Sequence, residues 1–339
     1  MRIFLTGGTS FLGKSVLREL LWGGHEVIAL IRPLSMCKLG AEVIRQIRVL
    51  PGDMSDIEAV GKQLREEGIH RFDACIHLAW SGVGADGRMN RGIQDENVRA
   101  TLNLLRFSAD CSCGRFLFSG SQAEYGVTLE RVQQGLCSGA PIREEAVCRP
   151  ISEYGKAKLR VWKEASSLAA ERKLRYCHLR IFSLYGSGDH ETTLISTAVR
   201  GATAGEVTTF GPCRQQWDFL HVDDCARAVV RLTEEPLVPA ERKPVSDREP
   251  DSAGSSVYNI GSGQPRPLCA FVREVFALAN RNPETCCRFA KRPAGPEGTP
   301  YLMPDCSKLR EAIGWRPEIS FEAGIRGLLK QEVRMEKQE

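Results

Sequence analysis

No apolar run in this chain is long enough to span a bilayer. The sequence opens on a strand-like Arg2-Ile3-Phe4-Leu5 without a signal-peptide layout. Both absences set the expectation of a cytoplasmic protein without membrane contact. Neither sign of charge dominates: 46 Lys and Arg against 42 Asp and Glu leave a formal net charge of +4. No dense basic block is present, so nucleic acid is not an expected partner. No repeat of solenoid length is visible. Metal-ligand spacing is missing as well. The 13 cysteines are odd in number and scattered, which reads as reduced thiols. Cys111-Ser112-Cys113 and Cys286-Cys287 lack the two-residue gap of zinc knuckles and have no histidine cluster beside them, so no metal site is expected.

What is present is an alternation of strand-like and helical segments in 339 residues, enough for one large α/β unit with a smaller appended lobe. The first strand runs into Thr6-Gly7-Gly8-Thr9-Ser10-Phe11-Leu12-Gly13, and a helix with Val16, Leu17, Leu20 and Leu21 on one side follows. Strand, glycine turn and helix form the context of a dinucleotide fingerprint. Gly7 permits the turn, Gly13 lets helix and strand approach, and the helix N-terminus offers N–H groups to a pyrophosphate. Gly7, Thr9, Ser10, Phe11, Leu12 and Gly13 are therefore candidate cofactor contacts. Ser10 stands where a middle glycine is expected, and its small side chain and hydroxyl suit a phosphate.

The second strand, Glu26 to Ile31, carries no acidic residue at its end to hold ribose hydroxyls; Arg32 comes next. A guanidinium suits a 2′-phosphate, so the expected cofactor is NADP, with NAD as the alternative. After a third strand, Asp53 is placed to bond an adenine amino group and Met54 to pack on the ring. The fourth strand, Ala74 to Leu78, leads into Ala79-Trp80 and a glycine-rich loop over 79–93, a candidate cover for nicotinamide and substrate. Leu78, Ala79 and Trp80 join the candidate cofactor contacts, and His77 reads as structural. The alternation predicts a doubly wound parallel Rossmann sheet with ligands at the strand C-terminal ends.

Tyr154-Gly155-Lys156-Ala157-Lys158 follows a capping Ser152, and apolar residues recur at Ala157, Val161, Ala165 and Leu168. That spacing predicts a helix with Tyr154 and Lys158 one turn apart on one face. An ammonium beside a phenol favours the phenolate, which suits a proton donor and acceptor at a sugar oxygen. Ser121 falls just beyond a strand end, where its hydroxyl can polarise a substrate carbonyl.

With these pieces in order, the chain resembles the extended short-chain dehydrogenase/reductases, in the nucleotide-sugar epimerase/dehydratase branch. The matching stretches are Thr6 to Gly13, Gly52-Asp53, Ile76 to Ala79, Asn97, Ser119 to Gly126, Tyr154 to Lys158, Leu179 to Gly186, Trp217 to Asp224, Tyr258 to Gly263, and Asp305 to Pro317. The resemblance implies Tyr154 as general acid/base and Lys158 as the residue that lowers its pKa and bonds the nicotinamide ribose. It also implies Ser121 as the holder of the reacting oxygen and Asn97 as support for the hydrogen-bond network. It further implies a homodimer through the helices carrying Asn97 and Tyr154. The related 4,6-dehydratases place an Asp-Glu pair where this chain has Gln122 and Ala123, and Glu124 is expected to point elsewhere, so dehydration is not expected.

The remaining readings are an NADP-dependent 4-ketoreductase of a 4-keto-6-deoxy sugar nucleotide, an NAD-dependent nucleotide-sugar 4-epimerase, and an NADP-binding regulator without catalysis. The NADP cue of Arg32 and the likeness to CDP- and dTDP-deoxysugar reductases favour the first. Ser121, Gln122, Ser183, Trp217 and Arg292 are candidate substrate contacts. Trp217 stands where many epimerases carry an arginine. The expected layout is a cofactor domain over 1–182 and a smaller C-terminal substrate-binding lobe over 183–339. Segments near 207–234 and 257–262 are expected to return to the main sheet. Residues 235–256, polar and Pro-rich, read as a flexible insertion.

Overall fold

A computed structural model of the chain describes residues 1–236, 254–291 and 293–336. It divides into two compact units. The first comprises Met1–Tyr125, Val147–Ile181 and Ala226–Tyr258. Its strands are β1 (Arg2–Thr6), β2 (Glu26–Ile31), β3 (Arg48–Pro51), β4 (Ala74–His77), β5 (Arg115–Ser121) and β6 (Arg175–Ile181). They form a seven-stranded sheet in the order β3-β2-β1-β4-β5-β6, completed at the β6 edge by the strand Ser255–Ile260. Every pairing among β1 to β6 is parallel. Such strands are covered on both faces, and they read as apolar runs rather than alternations: Ile3, Phe4 and Leu5 are all fully buried. This is the doubly wound Rossmann-like fold expected from the sequence. The chain builds outward from β1 in one direction through β3, then returns to β4 on the other side. That reversal opens a crevice at the C-terminal ends of β1 and β4.

On one face of the sheet, Phe4 of β1 packs with Phe72 and Phe107 at centroid separations of 5.2 to 6.1 Å. His77 is buried between Thr6 Oγ1, 2.7 Å from Nδ1, and Thr101 Oγ1, 2.9 Å from Nε2. The Thr101 hydroxyl donates to the Asn97 carbonyl, so Nε2–H must donate to Thr101 and Nδ1 must accept from Thr6. Burial first, then Lys158, pushes the His77 pKa down to about 3. His77 is a neutral structural residue, as its position on an apolar strand suggests.

The second unit comprises Gly126–Ala146, Phe182–Cys225 and Asn259–Glu339. Its strands are short pairs: Ser183–Tyr185 with Phe219–His221, Thr208–Phe210 with Cys287–Phe289, and Gln216–Trp217 with Arg266–Pro267. Helices Leu194–Ala204, Leu268–Leu278 and Phe321–Glu336 close over an aromatic core that includes Tyr185, Phe210, Phe219 and Phe271. Buried Asp218 accepts from Ser262 N, Ser262 Oγ and Gln264 N, which fixes the Ser262-Gly263-Gln264 turn.

The boundary differs from a single cut at 182. Residues 126–146 belong with the second unit because Ile142 N bonds Met303 O and Leu129 N bonds Thr299 O. Within the stretch near 207–234, the strand Thr208–Phe210 pairs with Cys287–Phe289 inside the second unit. What joins the first unit there is the later part of the helix Val222–Glu234. Ser255 and Ser256, expected in the insertion, lie in the edge strand; residues 237–253 fall outside the described residues. Among the described residues no helix is long and apolar enough to cross a membrane, and no cluster of three His, Cys, Asp or Glu is placed to hold a metal.

Candidate active site

The glycine turn leaves β1 and enters the helix Phe11–Trp22. Gly7 has φ +77°, and a Cβ there would lie 2.5 Å from Ala79 N. A Cβ on Gly13 would lie 1.9 Å from Gly7 O. Only glycine lets three backbone segments meet at this point, and the meeting leaves the helix N-terminus at the mouth of the β1/β4 crevice. Ser10 caps that helix, its Oγ accepting from Gly13 N at 3.0 Å. One lone pair of the hydroxyl is therefore spent on the cap, while its proton can still meet an anion. Thr9, Phe11 and Leu12 are half-buried in the same turn. This bare backbone cradle on a helix N-terminus fits the pyrophosphate of a dinucleotide.

Arg32 is exposed immediately after β2, and no carboxylate occupies the strand end. Asp53 follows β3, and its carboxylate accepts from Ser55 N at 2.9 Å. Met54 packs against the core of the first unit. Leu78 is buried and Ala79 half-buried at the end of β4.

The stretch after Trp80 is more ordered than a glycine-rich loop. It contains a short helix, Ala85–Met89, and is stapled to the helix Arg91–Asp110. Gln94 Nε2 donates to Gly82 O at 3.1 Å and Gly87 O at 2.9 Å, and Gln94 Oε1 accepts from Trp80 Nε1 at 2.8 Å. Asn97 closes both backbone groups of Ser81, accepting from its N at 3.0 Å and donating to its O at 2.9 Å. Gly82 and Gly87 cross so closely that a Cβ on Gly87 would lie 2.4 Å from Gly82 Cα. Gln94 and Asn97, one turn apart on one helix face, thus set the loop. Asn97, a candidate support for the hydrogen-bond network, uses its side-chain amide here to hold Ser81.

Ser121 ends β5. Its Oγ accepts from Ala123 N at 3.2 Å, while Ser121 N donates to Glu124 Oε1 at 2.8 Å, a reciprocal capping box around Gln122–Glu124. With the Ala123 amide on its acceptor side, Oγ keeps its proton as a donor. Gln122 is half-buried in that turn. The helix Glu153–Glu171 begins against the same turn: a Cβ on Gly155 would lie 2.6 Å from Ala123 O. Gly155 therefore brings Tyr154 and Lys158 to the Ser121 strand end.

Lys158 is only 2% exposed. Its Nζ donates to Ser119 O at 2.6 Å and sits 3.6 Å from the Trp80 ring centroid, 4.5 Å from that of Phe118 and 5.6 Å from that of Tyr154. Burial drives its pKa well down; Glu124 opposes that and Arg88 adds to it. Tyr154 is half-buried, with Trp80 edge-on at 6.2 Å. Arg88 lies over its face, the guanidinium carbon 4.2 Å from the ring centroid.

Glu124 points into the protein, away from the crevice. His178 Nε2 is 2.9 Å from Oε1, Arg180 Nε donates to Oε2 at 2.9 Å, and Arg180 also reaches the Tyr125 hydroxyl at 3.0 Å. Tyr176 Oη lies 2.8 Å from His178 Nδ1. Burial raises the Glu124 pKa, but His178 and Arg180 outweigh it and hold the carboxyl at about 2. This buried cluster escaped the sequence reading. Its signal was Tyr176, His178 and Arg180 at alternate positions of an apolar strand.

In the second unit, Ser183 is half-buried in its strand. Trp217 packs against the aromatic core, and its indole N–H is buried with no partner among the described residues. Arg292 lies outside the described residues.

Comparisons with known proteins agree with this architecture. The model of the NAD-dependent epimerase/dehydratase family matches residues 3–261. A UDP-glucose 4-epimerase of Lactobacillus helveticus is 25% identical over 330 residues, 94% of this chain and 92% of its own. A dTDP-4-dehydro-6-deoxy-D-allose reductase of a Streptomyces species is 25% identical over 339 residues, 95% of this chain and 93% of its own. The solved UDP-glucose 4-epimerase of Stenotrophomonas maltophila, with bound NAD, superposes with TM-score 0.79 and 20% identity over the whole of both chains.

Proposed function

Because the chain belongs to the NAD-dependent epimerase/dehydratase family, we propose that it is an NADP-dependent reductase of a 4-keto-6-deoxy sugar nucleotide. What supports this reading is the close seat of Gly155 against Ala123 O, just past the end of β5, together with the bond from Lys158 Nζ to Ser119 O, which bring the start of the Tyr154 helix to the Ser121 strand end. The nicotinamide nucleotide supplies the hydride. The Ser121 hydroxyl, its acceptor side occupied by Ala123 N, donates to the substrate's keto oxygen. Tyr154 gives that oxygen its proton, and Lys158 balances the phenolate left behind. A buried ammonium that burial pushes toward neutrality is held charged by such a phenolate, so the two groups titrate as a pair. Dehydration has no support: Gln122 and Ala123 carry no acid or base, and the Glu124 carboxylate is locked to His178 and Arg180.

The choice of NADP rests on Arg32, exposed at the β2 end where no carboxylate competes for a 2′-phosphate. A second reading, an NAD-dependent 4-epimerase, is favoured by the epimerases similar to this chain along nearly its whole length. The family resemblance carries with it a homodimer formed through the helices bearing Asn97 and Tyr154, and the sequence pattern a cytoplasmic location.

The deciding experiment identifies the nicotinamide nucleotide released on denaturing the purified protein, then titrates the emptied protein with NADPH and NADH. The reductase should exchange NADPH readily and bind it at least about tenfold tighter than NADH. In Arg32→Ala the two affinities should converge. Stoichiometric NAD that survives purification would replace the reductase by the epimerase.

A further inference from the structure

The Tyr154 phenol is approached by two cations. Lys158, from its own helix, reaches 5.6 Å from the ring centroid; Arg88, from the helix Ala85–Met89, lies 4.2 Å over the ring face. The backbone that carries Arg88 is held in place. Its backbone N donates to Gly84 O at 2.9 Å, the preceding Gly87 carbonyl is held by Gln94, and the loop's first turn is closed by Asn97. The Gly82–Gly87 crossing allows no slack. The fold thus spends two buried amides and two close-packed glycines on presenting one arginine to one tyrosine.

The arrangement also has an electrostatic cost. Arg88 and Lys158 repel, and that repulsion adds to burial in pushing the Lys158 proton off. Other charged or titratable groups that act on or feel Lys158 are Glu124, in the turn after β5, His77, on β4, and His178, on β6, both histidines having their pKa lowered by burial. Trp80 and Phe118 cover it with uncharged rings. Two cations converging on one phenol are relieved when the phenol becomes an anion between them. A cation within a few ångströms of a half-buried aromatic ring interacts more strongly with the phenolate than with the neutral phenol.

Resting on the reading of Tyr154 as acid/base, we propose that Arg88 acts through Tyr154: it is the second cation, with Lys158, that stabilises the phenolate. The placement requires the loop to be closed, so Gln94 and Asn97 serve the same end indirectly by holding the segment that carries Arg88.

The test needs no substrate. Tyrosine labelled with carbon-13 at Cζ reports ionisation by NMR, and the Tyr154 resonance is the one missing in Tyr154→Phe. The purified protein, with whatever nucleotide it carries, is titrated as wild type, Arg88→Gln, Arg88→Lys and Lys158→Met. Arg88→Gln should raise the Tyr154 midpoint by about one pH unit, the low end of the effect of a nearby opposite charge. Arg88→Lys, which keeps the charge and loses the planar stack, should raise it by less and serves as the probe if Arg88→Gln does not fold. A midpoint that moves in Lys158→Met and stays put in both Arg88 variants overturns the role of Arg88 alone. A midpoint at the ordinary tyrosine value of about 10, unmoved by any of the three, overturns Arg88 and the tuned-tyrosine reading together.

Discussion

At the scale of single residues, Tyr154 and Glu124 show how burial divides labour between neighbouring ionisable groups. Tyr154 is half-buried in the first turn of its helix. Tyr154→Phe should abolish turnover while leaving nicotinamide-nucleotide affinity near that of the wild type, since the phenol acts on the reacting oxygen. Single-turnover assays paired with nucleotide titration check this; turnover close to wild type would remove the acid/base role. Glu124, fully buried, instead has its pKa lowered from 4.5 to about 2. A carboxylate depressed in the folded state stabilises that state above its unfolded pKa and loses the contribution as pH falls through its folded one. Here the window runs from 4.5 down to about 2. The contribution is on the order of 3 kcal/mol, taking about 1.36 kcal/mol per pH unit. Glu124→Gln should therefore be less stable than wild type near neutral pH, and the gap in urea midpoints should shrink as pH drops through that window. A gap independent of pH would mean that packing, not charge, made the difference. Ser121 N loses its charged acceptor in the same variant, so weaker turnover is expected alongside.

At the scale of elements, the strand-like and helical segments were legible because their apolar runs are long. The helix Glu153–Glu171 follows from the Ser152 cap and its apolar stripe, and Gly155 sits where the first turn meets Ala123. The loop after β4 was not legible in the same way. Its glycines look like slack in a sequence, yet two of them are there for closeness. A Cβ at Gly87 would collide with Gly82, whereas Gly84 has nothing within 4 Å. Gly87→Ala should open the loop, speed amide exchange across residues 80–90 and reduce turnover by at least about tenfold, each 1.4 kcal/mol of lost positioning being a factor of ten. Gly84→Ala should leave both unchanged. Equal behaviour of the two variants would refute a role for the crossing.

At the scale of the whole molecule, the outward face shared by the helices Arg91–Asp110 and Glu153–Glu171 is charged. A surface pocket there is lined by Asp95, Arg99, Leu102, Asn103, Arg106 and Arg160. Arg160 reaches Asp95 Oδ1 at 3.1 Å, bridging the two helices. A homodimer formed on this face would be held substantially by ion pairs, and ion pairs at an exposed rim are screened by salt. Sedimentation velocity should show the dimer constant weakening about tenfold between low and roughly half-molar salt, where the Debye length drops to a few ångströms. A dimer indifferent to salt would place the contact on another face.

The sequence by itself determined the doubly wound sheet and the glycine turn, because each depends on short-range pattern: a period, a cap, a glycine between strand and helix; it also put forward Ser121, Tyr154 and Lys158 as candidates, through the order of its motifs. It also carried the absence of a catalytic acid–base pair after Ser121. Tertiary structure alone decided what each polar side chain was for. Asn97 proved to hold Ser81, Glu124 to pair with His178 and Arg180, and Arg88 to lie over Tyr154. Those partners are distant in sequence, and no local rule says which way a buried amide or carboxylate turns. The division of the chain was likewise tertiary: residues 126–146 join the second unit through backbone bonds to Thr299 and Met303, contacts between segments that no periodicity connects.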